Sequence, residues 1–308
     1  YALMNYVGTQ NSANILRALG VSDKHINETP FGLALGSSGI SPVEMAVAFG
    51  VLGNGGVYQS PIAFLGIADS SGNVIYDAHA NQTSYQVFSP ATAYLTVDMM
   101  KEAVSSGTGT KAKISGQTVA GKTGTNSDQK GVFFAGMTGW YSGSVWIGHD
   151  NYKPLVSNAT GGTYAAPLWA AVMSQVHSYA GITKDRAIIS GSASDYGLVL
   201  AEACGVSGMR PTDSCRRDAN GYSVTRDYYL DGTQPTVNCN MHRTVTLCTR
   251  SNKRPNGNCT STRSYGIIYI PQGHPLRQAE SLAQVRQYFK GATVKQDLSD
   301  FGTCNICH

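Results

Sequence analysis

Cysteine is absent from the first 180 residues of this 308-residue chain, and all seven cysteines lie beyond them. Charge is scarce throughout. Only 14% of residues are Asp, Glu, Lys or Arg against 42% hydrophobic, which excludes an intrinsically disordered chain and describes a globular one. No apolar run approaches the roughly 20 residues that a membrane-spanning helix needs; the longest, Ala165 to Met173, falls well short. No signal peptide is present and the first residue is Tyr1 rather than Met, so the chain reads as a piece of a longer polypeptide. Aromatics interleaved with arginine, which a nucleic-acid surface would require, are missing too, and no nucleic-acid partner is expected.

The charge that is present is uneven. Residues 1–180 carry 8 Lys and Arg against 9 Asp and Glu, and residues 181–308 carry 15 against 10, so the net charge of +4 belongs to the second part. Such a balance suits an ordinary solvated surface, with an anionic wall polymer or membrane surface as the functional alternative. Two domains fit this length. Composition changes near residue 180, giving expected bounds of 1–180 for the first domain and 181–308 for a small, Cys-rich, mostly β second one.

Helical spacing of Leu3, Tyr6 and Val7, then of Ile15, Leu16 and Leu19, predicts a helix pair closed by Gly20. Ser41-Pro42-Val43-Glu44 is a capping box with proline in the first turn. The helix it starts turns Met45, Ala48, Phe49 and Leu52 inward and stops at Asn54-Gly55-Gly56. Asp69-Ser70-Ser71-Gly72-Asn73 predicts a hairpin turn, and Ser89-Pro90 a helix running to Val104. Three strands follow near 117–125, 132–138 and 143–149, then an amphipathic helix from Ala165 to Val176 carrying Trp169 and Met173. In the tail, strands are expected from Val245 to Leu247 and from Gly266 to Ile270.

The first strand of that meander ends in Lys122-Thr123-Gly124-Thr125 and is expected at a sheet edge. An ammonium sets a positive field, two hydroxyls can hydrogen-bond an anion, and Gly124 leaves room for a substrate backbone. The tetrad therefore suits a carboxylate bound along a strand edge. Gly107-Thr108-Gly109-Thr110 precedes it; Phe133-Phe134-Ala135-Gly136 and Ser144-Val145-Trp146-Ile147-Gly148 follow. Earlier come Leu35-Gly36, the run from Ser41 to Ala46 and Asn54-Gly55-Gly56-Val57-Tyr58-Gln59-Ser60-Pro61. In this order and spacing the chain resembles the transpeptidase domain of the penicillin-binding proteins, especially the bifunctional class A type, over residues 1–180 and more weakly to about 242.

The resemblance implies an α/β (α+β) fold of the penicillin-binding and serine β-lactamase type, an antiparallel sheet flanked by helices, here its C-terminal half. It implies a peptidoglycan D,D-transpeptidase whose serine attacks the D-Ala-D-Ala carbonyl of a stem peptide, releases D-Ala and is deacylated by a neighbouring stem amine. β-Lactams are the implied inhibitors. Lys122 is the implied electrostatic catalytic group, Thr123, Gly124 and Thr125 bind substrate, and the Thr125 backbone N–H forms half of the oxyanion hole. Neither cofactor nor metal enters this chemistry. An upstream glycosyltransferase domain and a membrane anchor are implied for an extracytoplasmic parent. Two other readings are a hydrolase on the same fold, either a D,D-carboxypeptidase or a β-lactamase, and a non-catalytic wall-binding protein.

The nucleophile is the missing part. Ser127-Asp128-Gln129-Lys130 fits Ser-x-x-Lys but lies in the turn after the tetrad, where it could not face its own strand. Ser12-Ala13-Asn14 and Ser71-Gly72-Asn73 fit Ser-x-Asn, the first out of family order and the second in a turn. The resemblance places both signatures ahead of Tyr1, and the chain alone is expected to be inactive. Outside the membrane thiols pair, so Cys204, Cys215, Cys239, Cys248, Cys259, Cys304 and Cys307 are expected in disulfides with one thiol left over. The segment from Ser207 to Thr212 resembles a loop of class A C-terminal extensions, which implies that Cys204 and Cys215, on either side of it, are neighbours, while connectivity is not read from sequence. Cys304-Asn305-Ile306-Cys307-His308 also matches a haem-attachment pattern, and zinc held with Cys239 and His242 is a further alternative. His149 and His177 are expected at the surface or edge in structural roles.

Overall fold

The computed structural model describes residues 2–218, 220–274, 277, 289, 293–295 and 301–307, and forms two compact units, 1–196 and 197–308. Unit 1 opens with the expected helix pair, α1 (Ala2–Val7) and α2 (Thr9–Ala18), followed by α3 (Pro30–Leu35) and α4 (Pro42–Gly53). The capping box forms as expected. Ser41 Oγ accepts from Glu44 N–H at 3.3 Å and Glu44 Oε2 accepts from Ser41 N–H at 2.8 Å. Glu44 does more than the sequence implies: its Oε1 also accepts from Ser22 N–H at 2.9 Å, and His25 Nδ1 lies 3.0 Å from Oε2, so one carboxylate ties the α2–α3 connection to α4.

Burial works to raise the Glu44 pKa, but the N–H groups of Ser22 and Ser41, the Ser41 hydroxyl and His25 outweigh it, holding the carboxyl at about 2 rather than 4.5. A folded-state pKa below the unfolded one stabilises the fold above about pH 4.5, and that stability drains away as pH falls toward 2. At 1.36 kcal/mol per unit the full effect is about 3 kcal/mol. The stability gap between wild type and E44Q is therefore expected at full width near pH 6 and closing toward pH 2, as followed by urea unfolding across pH. A gap independent of pH would refute the assignment.

Short strands follow: β1 (Val57–Gln59), β2 (Gly66–Ala68), β3 (Val74–Asp77) and β4 (Ser84–Gln86). β1 pairs with β4, and β2 with β3 through the expected turn, where Asp69 Oδ1 accepts from the N–H groups of Ser71 and Asn73 at 2.9 Å. Gly56, at φ 93°, ends the α4 connection in the left-handed region, and a Cβ there would sit 2.2 Å from Phe88 O.

The centre of unit 1 is one antiparallel sheet, β5 (Ala120–Thr125), β6 (Gly131–Met137) and β7 (Ser142–Gly148), in the order β5-β6-β7. Ahead of it runs α5 (Pro90–Ser105), capped by Ser89; behind it runs α6 (Ala166–Tyr179). Strand alternation sorts the side chains onto two faces. Val132 and Phe134 join Val145, Ile147, Trp169 and Met173 in a core under α6. Met137 joins Leu52, Val97, Ala120 and Ile188 in a second core under α4 and α5. On that second face Ser142 Oγ and Ser144 Oγ donate to the Ala46 and Pro42 carbonyls of α4. β6 is thus covered on both faces, which is why it reads as a nearly continuous apolar run.

Unit 1 extends past the expected boundary at residue 180. Asp185 accepts from Thr118 N–H at 2.9 Å and from its hydroxyl at 2.6 Å, Arg186 stacks on Trp140, and Ile188 is buried in the α4–α5 core. The composition shift marks where the cysteine-rich region begins, whereas these contacts keep the segment with unit 1. His177 also departs from expectation. It is buried, its Nδ1–H donating to Met173 O at 2.7 Å while the Thr138 hydroxyl lies 3.0 Å from Nε2, so it fastens α6 to the end of β6.

Unit 2 contains β8 (Leu198–Cys204), the short helix α7 (Asp213–Arg216), β9 (Val224–Leu230), β10 (His242–Cys248), β11 (Thr262–Tyr269) and β12 (Val294–Lys295). β8 pairs with β9, and β10-β11-β12 form a three-stranded sheet that includes both strands expected in the tail. The disulfide expectation fails in this structure: all seven thiols are free. Cys204 and Cys215 are neighbours, as expected, but in a group with Cys239 and His242. Cys304 and Cys307 gather instead with Cys248 and Cys259, so the zinc set weighed as an alternative, Cys304, Cys307, Cys239 and His242, does not assemble. His308, the last residue of the haem-like pattern, lies outside the described residues.

Candidate functional site

Among the described residues β5 has a strand neighbour on one side only, β6, so its other edge is free for an incoming chain. Register sets Lys122 opposite Ala135, Thr123 opposite Phe134, Gly124 opposite Phe133 and Thr125 opposite Val132. Thr123 and Thr125 therefore share the α6 face, while Lys122 leaves from the other. Lys122 Nζ nevertheless comes back to Thr123, 3.1 Å from its carbonyl oxygen and 3.4 Å from Oγ1. The ammonium and the Thr123 hydroxyl thus meet at the strand edge.

Sequence order had not disclosed two supports of this edge. Thr108, from Gly107-Thr108-Gly109-Thr110, places its hydroxyl oxygen 2.7 Å from Thr123 Oγ1. Two hydroxyls joined by one hydrogen bond have one hydrogen left to donate outward. Behind the strand, Thr160 caps a single π-turn, Gly161–Ala165, that leads into α6, and Gly161 N–H donates to Thr125 Oγ1 at 3.0 Å. With its oxygen so engaged, the Thr125 hydroxyl hydrogen remains free to point away. A Cβ on Gly161 would come within 2.4 Å of Phe133 O and 2.6 Å of Gly124 O, so only glycine lets the turn lie this close to β5. The signal in the sequence was the pair Gly161-Gly162 following Thr160.

Ser127 is placed as its turn position implied. It starts a 3-10 turn, Ser127–Gln129, directly after β5, in which Asp128 and Gln129 adopt φ of 60° and 55°. Lys130 Nζ reaches Asp128 Oδ2 at 3.4 Å and the ring of Tyr152, so it is directed away from the activation of a serine. Asn126 holds this turn, its Oδ1 accepting from Gly131 N–H at 2.8 Å and its Nδ2 donating to Tyr152 Oη at 2.8 Å. A cavity of about 460 Å³ in unit 1 is lined by Gly50, Asn54, Met137, Tyr141 and Arg186, around the β6–β7 turn and away from Thr125.

An antiparallel sheet covered on both faces, with Lys-Thr-Gly-Thr on its edge strand, carries the third signature of the class of serine enzymes that recognise penicillin. The family described as "Penicillin binding protein transpeptidase domain" matches residues 5–174, and "Penicillin-binding protein 1A, C-terminal domain" matches residues 196–244. The chain belongs to the penicillin-binding protein transpeptidase family. It is 34% identical over 249 residues to penicillin-binding protein 1A of Clostridium perfringens, covering 77% of this chain and 28% of that protein. The corresponding protein of Clostridium tetani is 34% identical over 216 residues, covering 67% and 25% respectively. The crystal structure of penicillin-binding protein 1A from Haemophilus influenzae shares the fold, with a TM-score of 0.60 at 20% identity over 77% of this chain and 38% of that one. The chain thus spans about a quarter of the length of the curated relatives it matches.

Proposed function

We propose that this chain supplies the carboxylate-binding strand of a peptidoglycan D,D-transpeptidase. Its substrate is a stem peptide ending in D-Ala-D-Ala, and β-lactams compete for the same strand edge. The observation that carries this reading is the meeting of Lys122 Nζ with the Thr123 hydroxyl on edge strand β5, where Thr125 presents a second hydroxyl on the same face as Thr123. An extended peptide can add along that edge by backbone pairing, with its terminal carboxylate against the hydroxyls. In this role Lys122 provides the positive field, and Thr123 and Thr125 donate to the carboxylate. Gly124 lets the substrate backbone approach. The Thr125 N–H is one oxyanion donor, a group whose removal typically costs a few kcal/mol of transition-state stabilisation. The nucleophilic serine and the second donor come from another segment of the polypeptide, which also carries the membrane anchor and glycosyltransferase domain of a class A enzyme, working outside the cytoplasm.

The test uses a polypeptide that joins this sequence to the serine-bearing segment. Given a stem peptide ending in D-Ala-D-Ala and an amine acceptor, it is expected to release D-Ala and form the cross-linked dimer. Release with transfer to water alone would make it a carboxypeptidase, and no release would leave a wall-binding role. A reactive penicillin is expected to add its mass to one serine outside this sequence; a stoichiometric adduct mapping to Ser127 would overturn the assignment of roles along β5.

A further inference from the structure

The cysteines of unit 2 have no part in that chemistry, yet all seven, with His242, fall into two sets of four. In the first, Cys204 ends β8, Cys215 lies in α7, Cys239 precedes β10 and His242 opens it. Cys204 Sγ lies 3.4 Å from Cys239 Sγ and 3.2 Å from His242 Nδ1, and Cys239 Sγ lies 3.7 Å from that nitrogen. In the second, Cys248 ends β10 and meets Cys259, Cys304 and Cys307, with Cys248 Sγ 3.5 Å from Cys307 Sγ. Within each set the four donor atoms lie within 4.8 Å of one another. Four donors around one ion, at metal–sulfur distances of 2.3 Å and metal–nitrogen distances near 2.0 Å, are separated by about 3.5–3.8 Å.

We propose that unit 2 binds two structural zinc ions, one held by Cys204, Cys215, Cys239 and His242, the other by Cys248, Cys259, Cys304 and Cys307. Disulfides would strand one thiol of the seven, whereas division into three cysteines plus a histidine and four cysteines uses every donor. The first site has the surroundings a metal-bound thiolate and imidazole need. His242 Nε2 lies 3.0 Å from Asp218 Oδ2, with both side chains essentially inaccessible, so a carboxylate orients the ring and leaves Nδ1 aimed at the sulfurs. Backbone N–H groups point at sulfur as well: Val206 and Ser207 at Cys204 (3.4 and 3.5 Å), Thr212 at Cys215 (3.3 Å) and Met241 at Cys239 (3.3 Å). Such donors stabilise thiolates, the protonation state that metal binding demands. At the second site Asn256 Nδ2 donates to the carbonyls of Cys304 and Cys307 at 3.1 and 2.9 Å, and Cys304 N–H donates to Arg254 O at 2.7 Å, which fixes the Cys-x-x-Cys turn.

Tetrahedral sulfur-rich donor sets select zinc or iron. Closed sets of four protein donors, with no position left for water, are those of structural rather than catalytic zinc. Unit 2 has small two- and three-stranded sheets and only a short helix, α7, among its described residues, so metal staples answer a need that a small core leaves open. The first ion ties β8 and α7 to β10; the second ties the end of β10 to residues 304–307.

Metal analysis of the whole chain, purified without chelator, is expected to give about two zinc ions per chain. C215S and C259S are each expected to lower this to about one, and the double substitution to abolish it. Should either variant fail to fold, the wild type still decides the matter. After removal of its metal, cobalt(II) titration is expected to produce the visible absorption of tetrahedral cobalt–thiolate sites, saturating near two equivalents. Chelation is expected to lower the unfolding temperature reversibly, with zinc restoring it. Less than about half an equivalent of zinc without a cobalt spectrum, or about one free thiol in denatured, unreduced chain, would overturn the proposal in favour of disulfides or free thiols. Iron at the same stoichiometry would overturn the choice of metal.

Discussion

Replacement of Lys122 by alanine, in a polypeptide that joins this sequence to its serine, is expected to slow acylation by a penicillin about 10- to 100-fold while leaving the melting temperature within about a degree. Lys122 is exposed on the edge strand, and its ammonium contacts the carbonyl and hydroxyl of Thr123 rather than an acidic partner. Among the described residues its removal therefore breaks no ion pair, and an exposed side chain leaves no cavity behind. What is lost is a charged hydrogen-bonding group facing a carboxylate, an interaction of roughly 1.5–3 kcal/mol, and each 1.36 kcal/mol is tenfold in rate. K122R is expected to recover part of the rate, since the charge returns but a planar fork replaces a point charge. Stopped-flow acylation supplies the measurement. Rates for K122A within about twofold of wild type would remove Lys122 from the mechanism.

F134A is expected to cost about 3–5 kcal/mol of unfolding free energy, a large share of the 5–15 kcal/mol that a domain typically has. Phe134 is 0% exposed on the central strand, its ring 5.1 Å from that of Trp169 at 60°, and the paired glycines Gly121 and Gly136 admit it on the sheet. A Cβ on Gly121 would sit 2.5 Å from the ring, so the ring fills its space closely, and truncation leaves a void between β5 and α6 that these backbones cannot collapse. Because Phe134 is paired with Thr123, the void lies directly beneath the edge proposed to bind the carboxylate, and acylation is expected to fall along with stability. Urea unfolding should show a lower midpoint at unchanged slope, with F134L recovering more than half of the loss. A cost below about 1 kcal/mol would mean the core repacks around the gap.

Local signals in this sequence were strong wherever one short segment decides its own conformation. The capping box at Ser41, the Asp69 turn and the Ser89-Pro90 start all form as read, because each is closed by hydrogen bonds within a few residues. The meander was legible for a similar reason: short turns leave adjacent strands little choice but to pair, and that alone put Lys122 to Thr125 on an edge. What escaped is everything that depends on distant chain. Thr108 and Gly161 support the tetrad from either side of it in sequence, and Ser22 joins Glu44 across the α2–α3 connection. Asp185 carries unit 1 past residue 180 by binding Thr118.

The cysteines draw the line most clearly. By itself the sequence determined their number, their confinement to the second part of the chain, and the family whose Lys-Thr-Gly-Thr strand precedes them. It brought Cys204 to Cys215 and Cys304 to Cys307 but could not say which thiols join each pair, since seven cysteines and a histidine admit many partitions. Only the tertiary structure decided that Cys204, Cys215 and Cys239 converge on His242, and that Cys248 and Cys259 wait for Cys304 and Cys307. Strand β10 makes the difference: His242 opens it and Cys248 ends it, so residues close in sequence are held one strand length apart and committed to different sites.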